Sequence, residues 1–443
     1  MATNMIPIWK VPFPAVTICP LRKTRMELFN TTEVYEMVRK GEQLDSERYR
    51  MLRALSHVCT RTRTWINFTE PYEEDLVETL YNLSLPLEET AALCYWQRNA
   101  VPCDQILTEI LTDEGICYSF NAMAPHELYR KAFAEYDSIF RHIQQTSSST
   151  SWDVTDGYRA DAGIRTYPFR SLGKGTRDGL TIVLKTKKID NEFYCKGIQD
   201  GFKIAVNAPY KAPAVSQGYY TVYPLQTVFI MVNPELIETA DGLKKHSYEK
   251  RECFFQSERS LRFYKIYNQA NCMIECLANQ TLEVCGCLTL NFPGEYNLRR
   301  CDASQLDCKA MVEREMYHKI VDSILRNHPT SHCECLPVCH SVKYGAVISH
   351  TPFDYTKLAR IIKLIDIHEY DLSVIFVAVK ESHILPMWRR ELMEVSDLVA
   401  KCGGLFALLM GSSVISFLEI LYFSIIRPMR SEEPTKQVLP WRP

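Results

Sequence analysis

Ten of the 17 cysteines fall within residues 253–339, and no other feature narrows the possible folds as much. A reducing cytosol keeps thiols apart, so this density points to a disulfide-tied region in an oxidising compartment. Cys272 and Cys276 stand four apart in residues 267–283, which read as helical. Their side chains therefore stack on one helical face, about 6 Å apart. Cys333 and Cys335 are two apart, which in an extended segment also places both on one face, about 6.6 Å apart. A strand laid against the helix matches two bridges, and the antiparallel match joins Cys276 to Cys333 and Cys272 to Cys335. Cys253 and Cys339 close the outer rung, and Cys285 and Cys287 are left to Cys301 and Cys308.

Zinc is the competing reading, because His332 to Cys335, Cys339 with His340, and Cys285 with Cys287 contain plausible ligands. Structural zinc favours CxxC-type knuckles. This window shows CxC pairs, and the chain also carries four glycosylation sequons, at Asn30, Asn67, Asn82 and Asn279. Disulfides in an extracellular region are the better fit. Between the cysteine clusters, residues 306–327 carry Met311, Met316, Ile320, Ile324 and Leu325 as a helical stripe.

Residues 402–426 contain no Lys, Arg or Asp and a single acid, Glu419. That stretch is long enough for a membrane helix, which needs about 20 residues, and too long without charge for an ordinary buried helix. Flanking charges barely orient it, so cysteines and sequons place residues 1–398 outside the cell, 399–426 in the membrane and 427–443 in the cytoplasm. Ala400, Gly404, Ala407 and Gly411 share one helical face, which lets membrane helices approach closely. Ser412, Ser413, Ser416 and Glu419 add polar groups at membrane depth, which a plain anchor does not need.

Elsewhere residues 31–145 read as mostly charged amphipathic helices, residues 144–151 as a polar link, and residues 180–232 as strands. Tyr210, Tyr219, Tyr220, Tyr223 and Phe229 alternate as in a sheet. Residues 371–379 read as a central strand. The expectation is an α+β chain. The charge runs at Arg61 to Arg63 and Glu73 to Asp75 read as solvated faces. A formal net charge of -2 gives no electrostatic case for nucleic acid. No GxSxG, HExxH, GxGxxG or Walker signature is present, so the chain is not read as an enzyme and no cofactor is expected.

Three motifs in order carry a resemblance. Phe13-Pro-Ala-Val-Thr-Ile-Cys19 is similar to the stretch after the first membrane helix of epithelial sodium channels, degenerins and acid-sensing channels. The ladder of residues 253–339 resembles that family's thumb. Gly403-Gly404, Gly411-Ser412-Ser413 and Phe417-Leu-Glu419 resemble its pore helix and Gly-x-Ser filter. Cys117-Tyr-Ser-Phe-Asn121 and Cys402-Gly-Gly404 look most like the insect pickpocket type.

The resemblance implies a hand-shaped extracellular domain with a β-sheet palm and helical thumb and finger, and a homotrimer or heterotrimer with related subunits in the plasma membrane lipid. It also implies a sodium-permeable pore, with Na⁺ as the permeant ion, and block by amiloride. Gly411, Ser412 and Ser413 become the selectivity filter, and Ala400, Lys401, Gly404, Ala407 and Glu419 the pore and gate. Lys401 and Ala407 depart from the family's usual short polar residue and glycine. The pattern further pairs Cys19 with Cys117 and Cys94 with Cys103, leaving Cys59 and Cys195 over. The expected first membrane helix has no counterpart in this sequence, which therefore reads as N-terminally truncated. The alternative is a single-pass extracellular binding or adhesion protein, which explains neither the filter motif nor Glu419.

Overall fold

A computed structural model describes residues 5–68, 76–130, 151–188, 193–197, 200–292, 299–326, 333–354, 369–393, 395–411 and 413–430. The chain divides into two compact units, residues 1–239 with 246–388, and residues 240–245 with 389–443.

Besides a short hairpin of Trp152–Asp153 with Gly157–Tyr158, the main strands of the first unit are β1 (Ile6–Pro7), β2 (Ala15–Pro20), β3 (Ala91–Trp96), β4 (Asn99–Val101), β5 (Leu107–Thr112), β6 (Gly115–Phe120), β7 (Leu180–Lys187), β8 (Phe202–Asn207), β9 (Tyr220–Val222), β10 (Gln226–Thr239), β11 (Ser341–Pro352), β12 (Tyr370–Val379) and β13 (His383–Ile384). A five-stranded sheet runs in the order β9-β8-β2-β6-β5, and a larger sheet runs β11-β10-β12-β7-β3-β4. In the larger sheet β10 and β12 are parallel, in register from Thr227 opposite Val374 to Val232 opposite Val379.

Strand β12 is the central strand its composition suggests. It lies between β10 and β7, and Leu372 to Ile375 and Val377 to Val379 are all buried. A strand covered on both faces loses the apolar-polar alternation of a half-exposed one. Val16, Ile18, Phe120 and Ile204 of the smaller sheet share one core cluster with Ile182, Val228, Ile230 and Ile375 of the larger.

The principal helices of this unit are α1 (Thr31–Lys40), α2 (Ser46–Leu55), α3 (Leu76–Leu83), α4 (Gln269–Cys285) and α5 (Leu306–Leu325). Asn30 opens α1 by accepting from the N–H groups of Thr32 and Glu33, and Asp45 opens α2 by accepting from Arg48. Such caps satisfy donors that the first helical turn leaves free. Leu52, Leu55, Val77, Leu80 and Leu83 bury their side chains in a second core with Tyr264 and Tyr267.

Three local expectations change. Residues 91–120, read as part of a helical region, form strands β3 to β6. β6 is buried along its whole length, so it shows no alternation, and short apolar runs of this kind do not distinguish strand from buried helix. Of the aromatic set, Tyr220 and Phe229 lie in strands, whereas Tyr210, Tyr219 and Tyr223 lie in connections. On α5 the buried side carries Leu306, Val312 and Met316, while Met311 and Leu325 are exposed. Residues 131–150, the charge run Glu73 to Asp75, and His332 lie outside the described residues.

All 16 cysteines before Cys402 are bonded. Cys276–Cys333 and Cys272–Cys335 form the two rungs on α4, with Cys253–Cys339 outside them. Cys285 joins Cys308 and Cys287 joins Cys301, which tie α4 to the start of α5. Cys19–Cys117 links neighbouring strands, and Cys94–Cys103 closes a short loop beside β3. The leftover pair, Cys59–Cys195, spans 136 residues. With these sulfurs covalently paired, the cysteines of the zinc reading offer no thiolate.

Arg53 of α2 is bonded to Asp302, in the turn ahead of α5, with both side chains more than 90% shielded from solvent. Burial opposes ionisation of Asp302, but hydrogen bonds from Arg53 and Ser304 outweigh it and hold the carboxyl below its ordinary value. Its contribution to stability is thus full above pH 3.8 and is lost as acid carries the pH through the lower folded value. Asp302→Asn keeps an acceptor for Arg53 but removes the buried carboxylate charge facing it, and is expected to cost about 3–5 kcal/mol. Thermal unfolding of the detergent-solubilised chain measures this, and an unchanged midpoint would show that the pair adds nothing.

In the second unit the apolar stretch is not one helix. It is α6 (Val395–Met410), a break, and α7 (Val414–Leu421), which continues through a wider turn over Tyr422–Ile426 into Arg427–Arg430. Among the described residues no helix is long and apolar enough to cross a membrane. The expectation of a single uninterrupted helix is corrected by the backbone at Gly411.

Candidate functional site

Gly411 ends α6 with φ at +60°, a left-handed conformation that costs an L-residue about 1–2 kcal/mol and glycine almost nothing. Space is not the reason for glycine, because a methyl group there would meet no atom within 4 Å. Ser413 then starts α7. Its Oγ accepts from the Ser416 N–H at 3.3 Å, and its own N–H donates to the Ser416 Oγ at 3.4 Å. This reciprocal cap satisfies two donors at the new N-terminus. Ser412 lies outside the described residues.

The break has an electrostatic consequence. A helix leaves its last four carbonyls without intrahelical partners, and its C-terminus carries about half a negative charge. Residues 407–410 end α6 beside Gly411, so carbonyl acceptors gather at this point, while the start of α7 at Ser413 brings the opposing positive end of a helix beside them. The serine-capped start of α7 adds hydroxyls within the same few residues. Oxygen ligands of this kind replace part of the hydration shell of a hard cation such as Na⁺.

Ala400, Lys401, Gly404 and Ala407 lie on α6 and Glu419 on α7, all exposed. The larger apolar side chains around them are exposed too, including Leu405 at 58%, Phe406 at 52% and Leu408 at 84%. Exposed apolar surface of this extent is stable in lipid or against other chains.

The sequons fall at the surface of the first unit. Asn82 and Asn279 are exposed on α3 and α4, Asn67 is exposed, and Asn30 is half-buried as the cap of α1.

Sequence reasoning missed two polar cavities, because each is assembled from distant segments. One, of about 480 Å³, is lined by His57, Arg63, Lys309, Glu313, Met273 and Leu277 among others. Burial, reinforced by Lys309 and Arg63, pushes the His57 imidazole down to about 3. Arg63, read as part of a solvated face, instead lines this cavity and donates to the Ser56 carbonyl. The other cavity, near Arg170, is taken up below.

The family described as amiloride-sensitive sodium channel matches residues 1–423. The chain belongs to that family. Its members are ion channels of the plasma membrane with a large extracellular domain, not enzymes. Pickpocket protein 28 of Drosophila melanogaster is 26% identical over 96% of this chain and 68% of its own length. Pickpocket protein 11 of the same fly is 24% identical over 99% and 67%. Acid-sensing ion channel 2 of mouse is 21% identical over 92% and 71%. Membership in this sodium channel family supports a sodium channel subunit, and the disulfide-rich mixed α/β first unit fits the family's extracellular domain. The Gly411–Ser413 break lies inside the matched span.

Proposed function

We propose that the chain is a pore-forming subunit of a trimeric, sodium-permeable and amiloride-sensitive cation channel, opened by an extracellular stimulus. In this reading residues 399–426 cross the plasma membrane as a broken span, and the first unit lies outside the cell with glycans on the exposed sequons. The break at Gly411 carries the reading. Three copies of it, from this chain or from related subunits, supply a ring of carbonyl and hydroxyl oxygens narrow enough to strip Na⁺ of part of its water.

Gly411, Ser412 and Ser413 form the filter, and Ala400, Gly404 and Ala407 give α6 the slim face along which three pore helices approach. Lys401 and Glu419 set the charge at the two ends. Support comes from family membership, from relatives named pickpocket proteins and an acid-sensing ion channel, and from the exposed apolar surface of α6 and α7.

The test is current in oocytes expressing this chain together with a related subunit. The expected current has a reversal potential that follows the sodium gradient, is blocked by amiloride, and changes its sodium-to-potassium permeability ratio in Ser413→Ala. A permeability ratio indifferent to residues 411 and 413 would remove the break from the conduction path.

A further inference from the structure

A second cavity, of about 550 Å³, opens beside the short hairpin of Trp152–Asp153 with Gly157–Tyr158. Its walls bring together the N-terminal residues Trp9 and Lys10, the hairpin, Tyr210, and the paired ends of β10 and β11 at Leu236 and Val342. The volume is that of pockets that enclose small organic ligands. All of these residues belong to the first unit.

The chemistry of the cavity is set by Arg170. Its side chain is 92% shielded, from a relative exposure of 8%. The guanidinium donates to three backbone carbonyls: Nη1 to Trp9 at 3.2 Å, and Nη2 to Ala162 at 2.8 Å and Gly163 at 2.6 Å. Its Nε has no acceptor. Among the described residues no carboxylate pairs with it, and its only other partner is the face of Tyr158, 4.3 Å from the guanidinium carbon. Carbonyl dipoles and an aromatic face solvate a cation, but they do not neutralise it, and a buried charge without a counter-charge is costly.

We propose that this cavity is a binding site for a small monoanionic organic acid, with a carboxylate directed toward Arg170 and a flat apolar body against Trp152, Tyr158 and Tyr210. The charge follows from the donors. Arginine has five N–H groups and three are committed to carbonyls; the two left, on Nε and Nη1, point to opposite edges of the guanidinium, so an incoming acid meets it through one oxygen. That suffices for one carboxylate and is poor for a phosphate dianion. The rest of the lining, Asp153, Asp156 and Glu238 with Lys10 and Arg159, carries no net positive charge to favour a second negative one. The flat body follows from the wall, where Trp152 and Tyr210 stack with centroids 6.1 Å apart and Trp152 and Tyr158 meet at 6.4 Å.

The decisive measurement is calorimetric binding to the full chain in detergent, in a buffer free of carboxylates, with 3-phenylpropionate as probe and 2-phenylethylamine as its charge-reversed match. The acid is expected to bind at least roughly tenfold more tightly than the amine. Ala162→Trp adds bulk to the cavity wall beside Arg170, and should weaken the acid at least roughly tenfold while the unfolding midpoint stays near that of the parent. Absence of acid binding at millimolar concentration, equal binding of acid and amine, or unchanged acid binding in folded Ala162→Trp would each overturn the proposal. Because no current is read, failure here is separate from failure of the channel reading.

Discussion

Replacing Ala400 by Phe is expected to raise resting sodium current about tenfold in channels that contain this chain. Ala400 lies on α6 one turn before Gly404 and in line with Ala407, and it is exposed. In the proposed trimer this slim face is where three helices converge when the pore is closed. Added bulk there strains the closed crossing by about 1–3 kcal/mol, and opening relieves the strain. A bias of about 1.4 kcal/mol changes the population ratio of a two-state gate tenfold. Ala400→Gly removes volume and should leave resting current unchanged. The measurement is resting current with and without amiloride at matched surface expression. No rise in Ala400→Phe would show that this face does not meet its copies in the closed state.

The second large effect belongs to Gly411. Gly411→Val places a β-branched residue at φ +60°, where only glycine is comfortable. Holding that conformation costs about 1–3 kcal/mol, and relaxing it rotates the carbonyls at the break. Either way the oxygen ring loses its geometry, and the expected result is a fall in sodium current of about tenfold or more with surface expression retained. Gly411→Ala, with less bulk at the same strained angle, should fall between. Surface biotinylation with paired current recording separates a damaged filter from a damaged fold. Parent-like current in Gly411→Val would mean that the left-handed turn is dispensable for conduction.

The sequence carried some of this directly and left some of it out, for reasons visible in particular residues. The α4 rungs were legible because a four-residue step on a helix and a two-residue step on a strand each put two sulfurs on one face, and only one antiparallel match exists. Strand β12 was legible because burial on both faces leaves an apolar β-branched run. Strand β6 was not, since a six-residue buried strand offers no period to separate it from a helix turn, and the strands before it are short and only partly buried. The apolar stretch of residues 402–426 was visible as apolar, but its interruption was not. Serine and glycine are tolerated inside membrane helices, so their presence alone does not predict a break.

What the sequence determined by itself is therefore local: the periodicity that makes helices and strands, the disulfide spacing on α4, the uncharged segment, and the motifs that mark the family. Tertiary structure decided which of Cys301 and Cys308 each partner takes, where Cys59 finds Cys195, and how residues as distant as Trp9, Arg170 and Val342 come to line one cavity. Those outcomes depend on chain segments meeting across long loops. Closing a longer loop costs only slowly increasing entropy, so sequence separation does little to restrict which partners meet, and the packing of the two sheets and the helices makes the choice.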